Sequence, residues 1–510
     1  MKRTRMACGM TAMTLTLGAC GMNNGGGAAE SGGGGPSIVI DEPFAPAAGW
    51  ALETDDAFVL SKAGCLETLV SHADNSELAP MLATSWTQTT PLTWKFTLRS
   101  GATFQNGDPL DAKAVTAALQ HALKVKAPSA AFGPDAIAGV KALDKRTVAV
   151  TTVTPDPLVP ERLATPNTGI LAPQAYGKSR IEPKGTCTGP FTLAEEVPQQ
   201  SVRMKRNDSY WGGRAKLASA EVRFIADGAK RATQIQTGEA QLVRKLPATS
   251  VQDLKGSSGI RVDTAELSRT TSLILNNKKA PLDNVKVRQA IQAVIDTKKI
   301  NQAVYFGAAR PAVGPFAPTE PFAPSGAQPV KADPAKARAL LAQAGVEPSS
   351  IKVQLLTYTE GAGFADLAAV IQDQLKSIGI TVTIKTADYA SLEPEMLSGD
   401  FDMTLLSRNH LGDMPDPLGF LAADYSCKGS FNISHFCDPQ VDALIHKAGT
   451  TTDRQTRYAI ESEAASVLQS QAVNVFLVHD TESVARGSRV TGYSIDPYYT
   501  LTADLDVASK

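Results

Sequence analysis

Apolar residues recur along this chain at two spacings, and the spacings mark where strands and helices fall. Trp94, Phe96 and Leu98 alternate with Lys95, Thr97 and Arg99, the period of a strand with one wet face. Asp111 then caps a predicted helix whose stripe is Val115, Ala118, Leu119 and Ala122, and Val287, Ile291 and Val294 repeat that pattern after Asp283. Asp333-Pro334 opens a helix through Ala344 that Gly345 closes, with a capping residue first, proline at the first helical position and glycine after the last. Leu367, Val370, Ile371, Leu375 and Ile378 predict a helix over 364–378, ended by Gly379. Ile380, Val382 and Ile384 alternate with polar neighbours as a half-buried strand, and 401–406 reads as the next strand. Helix and strand alternate, so the fold class is α/β. The stripes are core packing rather than ligand sites.

Charge and composition narrow the setting. The chain has 510 residues, 43% of them hydrophobic and 20% charged, with a formal net charge of -1. That is a globular composition, and the absence of a long basic block argues against nucleic acid or a polybasic membrane contact. The N-terminus has a different character. Lys2, Arg3 and Arg5 precede a short apolar run, Met6 to Leu17, and then Leu17-Gly18-Ala19-Cys20. Small residues before a cysteine, after a charged and then an apolar stretch, form the pattern of a bacterial lipoprotein signal over 1–19, with Cys20 as the lipidated residue. The glycine-rich run over 20–36 reads as a tether with a reach of roughly 22 Å. The expected location is therefore the outer face of the bacterial cytoplasmic membrane, with the lipid as the membrane contact. Beyond the tether the chain exceeds one hydrophobic core, which implies two or more domains.

Few residues suggest chemistry. No nucleophile elbow, zinc-protease helix or phosphate loop is present, so no enzyme and no cofactor are expected. Four cysteines remain after Cys8 and Cys20 are set aside: Cys65, Cys187, Cys427 and Cys437. An even number outside the cell favours pairing, Cys427 with Cys437 and by subtraction Cys65 with Cys187, against free buried thiols. His435 lies between Cys427 and Cys437, so a soft-metal site is the alternative there. Asp413 and Asp416 follow the 401–406 strand, where α/β proteins hold ligands and where a carboxylate suits an ammonium; a plain Asp/Pro turn explains them equally.

Seven runs in register resemble one family. They are Leu66-Glu67-Thr68-Leu69-Val70, Leu82-Ala83-Thr84-Ser85-Trp86, Trp94 to Arg99, Phe104-Gln105-Asn106-Gly107-Asp108-Pro109-Leu110-Asp111-Ala112, Gly189-Pro190-Phe191, Arg206 to Gly213 and Val287-Arg288-Gln289-Ala290-Ile291. In order and spacing they resemble the bacterial extracellular solute-binding proteins of family 5, which serve ABC importers of oligopeptides, dipeptides and nickel. The resemblance implies a two-lobed periplasmic-binding-protein-like clamp (type II) with an inserted small domain at 63–175. Lobe I would be 37–62, 176–268 and 479–510, and lobe III 269–478. It also implies a peptide ligand, ABC permease partners, a monomer, and capture without chemistry.

By that resemblance Asp413, three residues before Asp416-Pro417, holds a peptide's α-ammonium, and Asp416 shapes the turn. The stretch 355–361 lacks the arginine with which dipeptide binders clamp the ligand carboxylate, which points away from dipeptides. Arg408 and Tyr358 are further candidate ligand contacts. A short C-terminal disulfide loop in some relatives resembles Cys427–Cys437. Within the same architecture a nickel chelate is the alternative ligand, with His410 or His435 as its contacts. A peptide-sensing signalling lipoprotein and a secreted hydrolase with an unrecognised site are the alternatives of other classes.

Overall fold

The computed structural model describes residues 35–72, 77–129, 131–177, 180–359, 361, 363–412 and 414–508. The predicted signal, Cys20 and most of the tether lie outside the described residues, as does Asp413.

Among the described residues one sheet of eleven strands runs through the molecule. Its order is Thr381–Ala387, Lys352–Tyr358, Met403–Asn409, Ile260–Leu275, Asn474–Gly487, Leu242–Val243, Ser37–Glu42, Ser219–Phe224, Ser201–Arg206 and Phe191–Val197, with Arg310–Pro311 pairing on the Asn474–Gly487 strand. Two strands in the middle, of 16 and 14 residues, are far longer than the rest and pair antiparallel. One end of each carries Leu273, Leu275, Val475 and Leu477 into a core with the helices Val285–Val294, Pro334–Gln343 and Phe364–Lys376. At the other end Val484 joins a second core with Ile38, Ile40, Phe191 and Val222.

A separate four-stranded sheet, Ala83–Thr90, Thr93–Leu98, Thr147–Thr152 and Ile137–Ala142, packs on the helix Ala112–Ala122 around a third core that runs from Leu69 to Ala172. The fold is thus α/β and two-lobed, with an additional small domain.

Local chemistry explains most of the elements. Asp111 and Asp333 accept hydrogen bonds from Ala114 N and Lys336 N, the expected caps, and Gly345 adopts φ +67° just past the helix Pro334–Gln343. Two details differ from the sequence reading. The helix Val285–Val294 is capped by Asn284, not Asp283, through Lys286 N. Ile384 is exposed, although alternation placed it with Val382. Its strand is the sheet's edge, and an edge strand keeps only part of its inner face covered.

The four cysteines are bonded as Cys65–Cys187 and Cys427–Cys437. The soft-metal reading of the Cys427–Cys437 segment is therefore corrected: each sulfur is already spent on the other.

Candidate ligand-binding cleft

The cleft begins where the two long strands fall out of register. Glu266 pairs with Thr481 and Thr270 with His479, so Leu267, Ser268 and Arg269 oppose the single residue Asp480. Such a bulge bends the strand and re-aims its side chains. A second register shift follows between Thr271 and Ser272. Asp480 fastens the site, accepting hydrogen bonds from Thr271 Oγ1 at 2.9 Å and Ser407 Oγ at 2.7 Å. Burial raises its carboxyl pKa, against the pull of those two hydroxyls. Beside it His479 is fully buried, its Nε2 accepting from Val313 N at 3.2 Å and its Nδ1 3.0 Å from Thr270 Oγ1. Burial pushes the His479 imidazole down to about 4, so it is neutral at physiological pH.

Leu267, Ser268 and Arg269 line a cleft of about 1550 Å³. One wall comes from the Ser37–Glu42 side, with Glu42, Phe44, Phe58, Lys62, Arg244 and Lys245. Ala317, Thr319, Glu320 and Pro321 also line it, as do Asn409 at the end of the strand Met403–Asn409 and Leu411, Gly412 and Pro415 beyond it. Tyr498 and Thr500 complete the lining from the C-terminal segment. A second cavity, between Arg408, Phe420, Asp424 and Phe431, holds only about 20 Å³, enough for a single water.

The floor near Arg244 is a closed ionic network. Arg244, 1% exposed, reaches Glu482 at 2.8 Å, Glu42 at 3.3 Å and Thr500 Oγ1 at 2.7 Å, and the Thr500 hydroxyl donates to Glu42 at 3.2 Å. Burial alone would raise the Glu42 carboxyl, but Arg244, with Lys62 and Lys245, outweighs it and holds Glu42 below its ordinary range. In the same way Glu42 and Glu482 overcome the burial of Arg244 and keep its guanidinium charged.

The residues singled out in the sequence scatter. Arg408 lines the cleft, but its guanidinium is engaged with Asp424 through two hydrogen bonds of 2.7 Å and lies 4.2 Å over the Phe431 ring. Tyr358 packs between Phe364 and Tyr389 and is not among the residues lining the cleft. Asp416 is buried. It accepts from Leu418 N at 3.0 Å, starting the helix Leu418–Tyr425, and from Arg457 Nε at 2.9 Å.

His410 and His435 are not brought together. His410 Nε2 sits 2.7 Å from Glu320 among the rings of Phe316, Phe322 and Phe420, whereas His435 packs near Phe401 with Nε2 3.3 Å from Met396 O. Sequence reading missed Lys62, Lys245, the Arg244 network and the bulge. Lys62 ends the helix Asp56–Lys62 and reads as an ordinary complement to the helix dipole, so nothing local distinguishes it.

Residues 77–432, more than half of the chain, match the family described as bacterial extracellular solute-binding proteins, family 5. The chain belongs to that family. This family 5 protein is 26% identical to the nickel-binding protein NikA of Staphylococcus aureus, over 87% of this chain and 88% of that one. It is also 26% identical to the di/tripeptide-binding protein 2 of Pseudomonas aeruginosa, over 83% and 85%. Among solved structures it resembles the nickel ABC transporter protein of Bacillus halodurans, with 29% identity and a TM-score of 0.82 over 92% of this chain and all of that one. Among the described residues no helix is long and apolar enough to cross a membrane.

Proposed function

We propose that this solute-binding protein captures peptides between its lobes and hands them, chemically unchanged, to an ABC import permease, while lipid on Cys20 holds it at the outer face of the membrane. The observation that carries the reading is the size and lining of the cleft. At about 1550 Å³ it exceeds the roughly 300–1,000 Å³ typical of drug-sized ligands. It runs along a strand bulge whose backbone is out of register with its partner, where an extended peptide can add main-chain hydrogen bonds.

Asp413 remains the proposed ligand for the α-ammonium. Its described neighbours Gly412 and Pro415 both line the cleft. The two long strands join the lobes, and closure about their bulge would bury the ligand. A relative named for di- and tripeptides supports this ligand class. A relative named as nickel-binding and a similar structure named as a nickel ABC transporter favour a second reading, a nickel chelate whose own ligands surround the metal.

Native mass spectrometry of the full chain, purified from rich medium without refolding, separates the two. A ladder of adducts that denaturation releases as peptides is the expected result. One small adduct with the isotope pattern of nickel would replace the peptide reading with the chelate.

A further inference from the structure

A short helix of the small domain, Val159–Arg162, reaches the body built on the helices Leu418–Tyr425, Pro439–Thr450 and Arg454–Ser470. Val159, and Leu163 just after the helix, lie in the small domain's own core. Leu158 instead packs into a fourth core with Phe316, Phe322, Met414 and Tyr458. On the same helix the buried Glu161 accepts from Arg457 Nη2 at 2.9 Å through Oε1, while its Oε2 is buried with no hydrogen-bond partner.

Arg457 also donates to Asp416 at 2.9 Å, and Glu461 sits one turn further along the Arg457 helix. The other charges nearby are engaged elsewhere. Arg454 donates to the Tyr458 hydroxyl at 2.7 Å, and Arg162 donates to Asp156 at 2.7 Å and to Ala131 O at 2.9 Å. Asp416 alone balances Arg457, so an ionised Glu161 is a surplus buried charge. Burial, then Asp416, pushes Glu161 up to about 7, and the same two causes push Glu461 up to about 10. Burial alone would lower the Arg457 guanidinium, but Asp416 and Glu161 outweigh it and keep it charged.

We infer that the contact of Glu161 with Arg457 is a proton-sensitive clasp, which holds the small domain against the opposite lobe when Glu161 is protonated and loosens when Glu161 ionises. The clasp rests on the reading of a clamp that closes about the bulge, and adds to it the control of closure. Opening returns Glu161 to water, where a glutamate carboxyl titrates near about 4.3. The closed form therefore binds more protons than the open one. Its advantage is fully present below the ordinary value and is lost as pH rises through about 7.

The test is single-molecule energy transfer in the ligand-free full chain, between dyes on azide-bearing residues substituted at the exposed Lys141 of the small domain and Lys447 of the opposite lobe. The ratio of closed to open molecules is expected to fall at least about fivefold from pH 5.5 to 7, within the tenfold per unit that one proton allows. Glu161→Gln, which stands in for the protonated carboxyl, should stay closed at both values, and Glu161→Lys, facing Arg457, should open at both. A wild type that ignores pH while Glu161→Lys opens would overturn the clasp and leave the clamp reading intact. A full pH response in Glu161→Gln would do the same. One distance in every protein at every pH would remove the clamp reading, and the clasp with it. Circular dichroism at both pH values confirms that each protein compared is folded.

Discussion

At the scale of single residues, a second buried charge cluster lies outside the lining of the cleft. Arg457, 1% exposed, is held by Asp416 at 2.9 Å and by Glu161 at 2.9 Å, with Glu461 buried in the same cluster. Three carboxyls around one guanidinium cannot all ionise cheaply. Burial, then the charge of Asp416, pushes Glu161 up to about 7 and Glu461 up to about 10. Raised carboxyl values mean that the folded state binds more protons than the unfolded chain, so this cluster contributes less stability as pH climbs from about 4.5. Glu461→Gln mimics the protonated form. Its stability relative to wild type is therefore expected to grow with pH between 5 and 8, by at most about 1.4 kcal/mol per unit, as measured by paired denaturant titrations. A difference that stays flat with pH would show that Glu461 is ionised throughout. On the peptide reading, Asp413→Ala should weaken peptide binding by about 2–4 kcal/mol, the cost of stranding a buried ammonium. Unchanged affinity by isothermal titration would remove Asp413 from the site.

Among the elements, two cross-links of very different span hold the described residues. Cys65–Cys187 joins residues 122 apart and lies inside the core around Phe191, whereas Cys427–Cys437 spans only 10. If loop entropy dominates, the long link is worth about 5 kcal/mol and the short one about 3 kcal/mol. Replacing Cys65 and Cys187 with alanine should therefore lower the melting temperature more than replacing Cys427 and Cys437. The opposite order would mean that local packing, not chain entropy, sets their value. Element types were largely legible in the sequence because caps and periodicity act locally: Asp111, Asp333 and Gly345 do what their positions suggest. Ile384 was misplaced because alternation reports a face but not whether the strand lies at an edge.

For the whole molecule, the two long strands contribute to the cores at both ends of the large sheet, and the residues of their bulge line the cleft. Peptide saturation is expected to reduce the radius of gyration seen by small-angle X-ray scattering. At a hundredfold excess over Kd it should add about 2.7 kcal/mol of apparent stability. Binding without compaction would mean that the clamp is already closed when empty.

What the sequence determined by itself was whatever depends on neighbours along the chain: the α/β alternation, the helix caps, the motif order that resembles family 5 and the loop after Met403–Asn409. The site was decided by tertiary structure. Residues as distant as Glu42, Arg244, Glu482 and Thr500 meet within hydrogen-bond distance only once strands from both ends of the chain are paired. Folding likewise spends Arg408 on Asp424 and sets Lys62 within electrostatic reach of Glu42 and Glu482. Whether a charge is free depends on which partners burial brings to it, and no spacing along the chain records that.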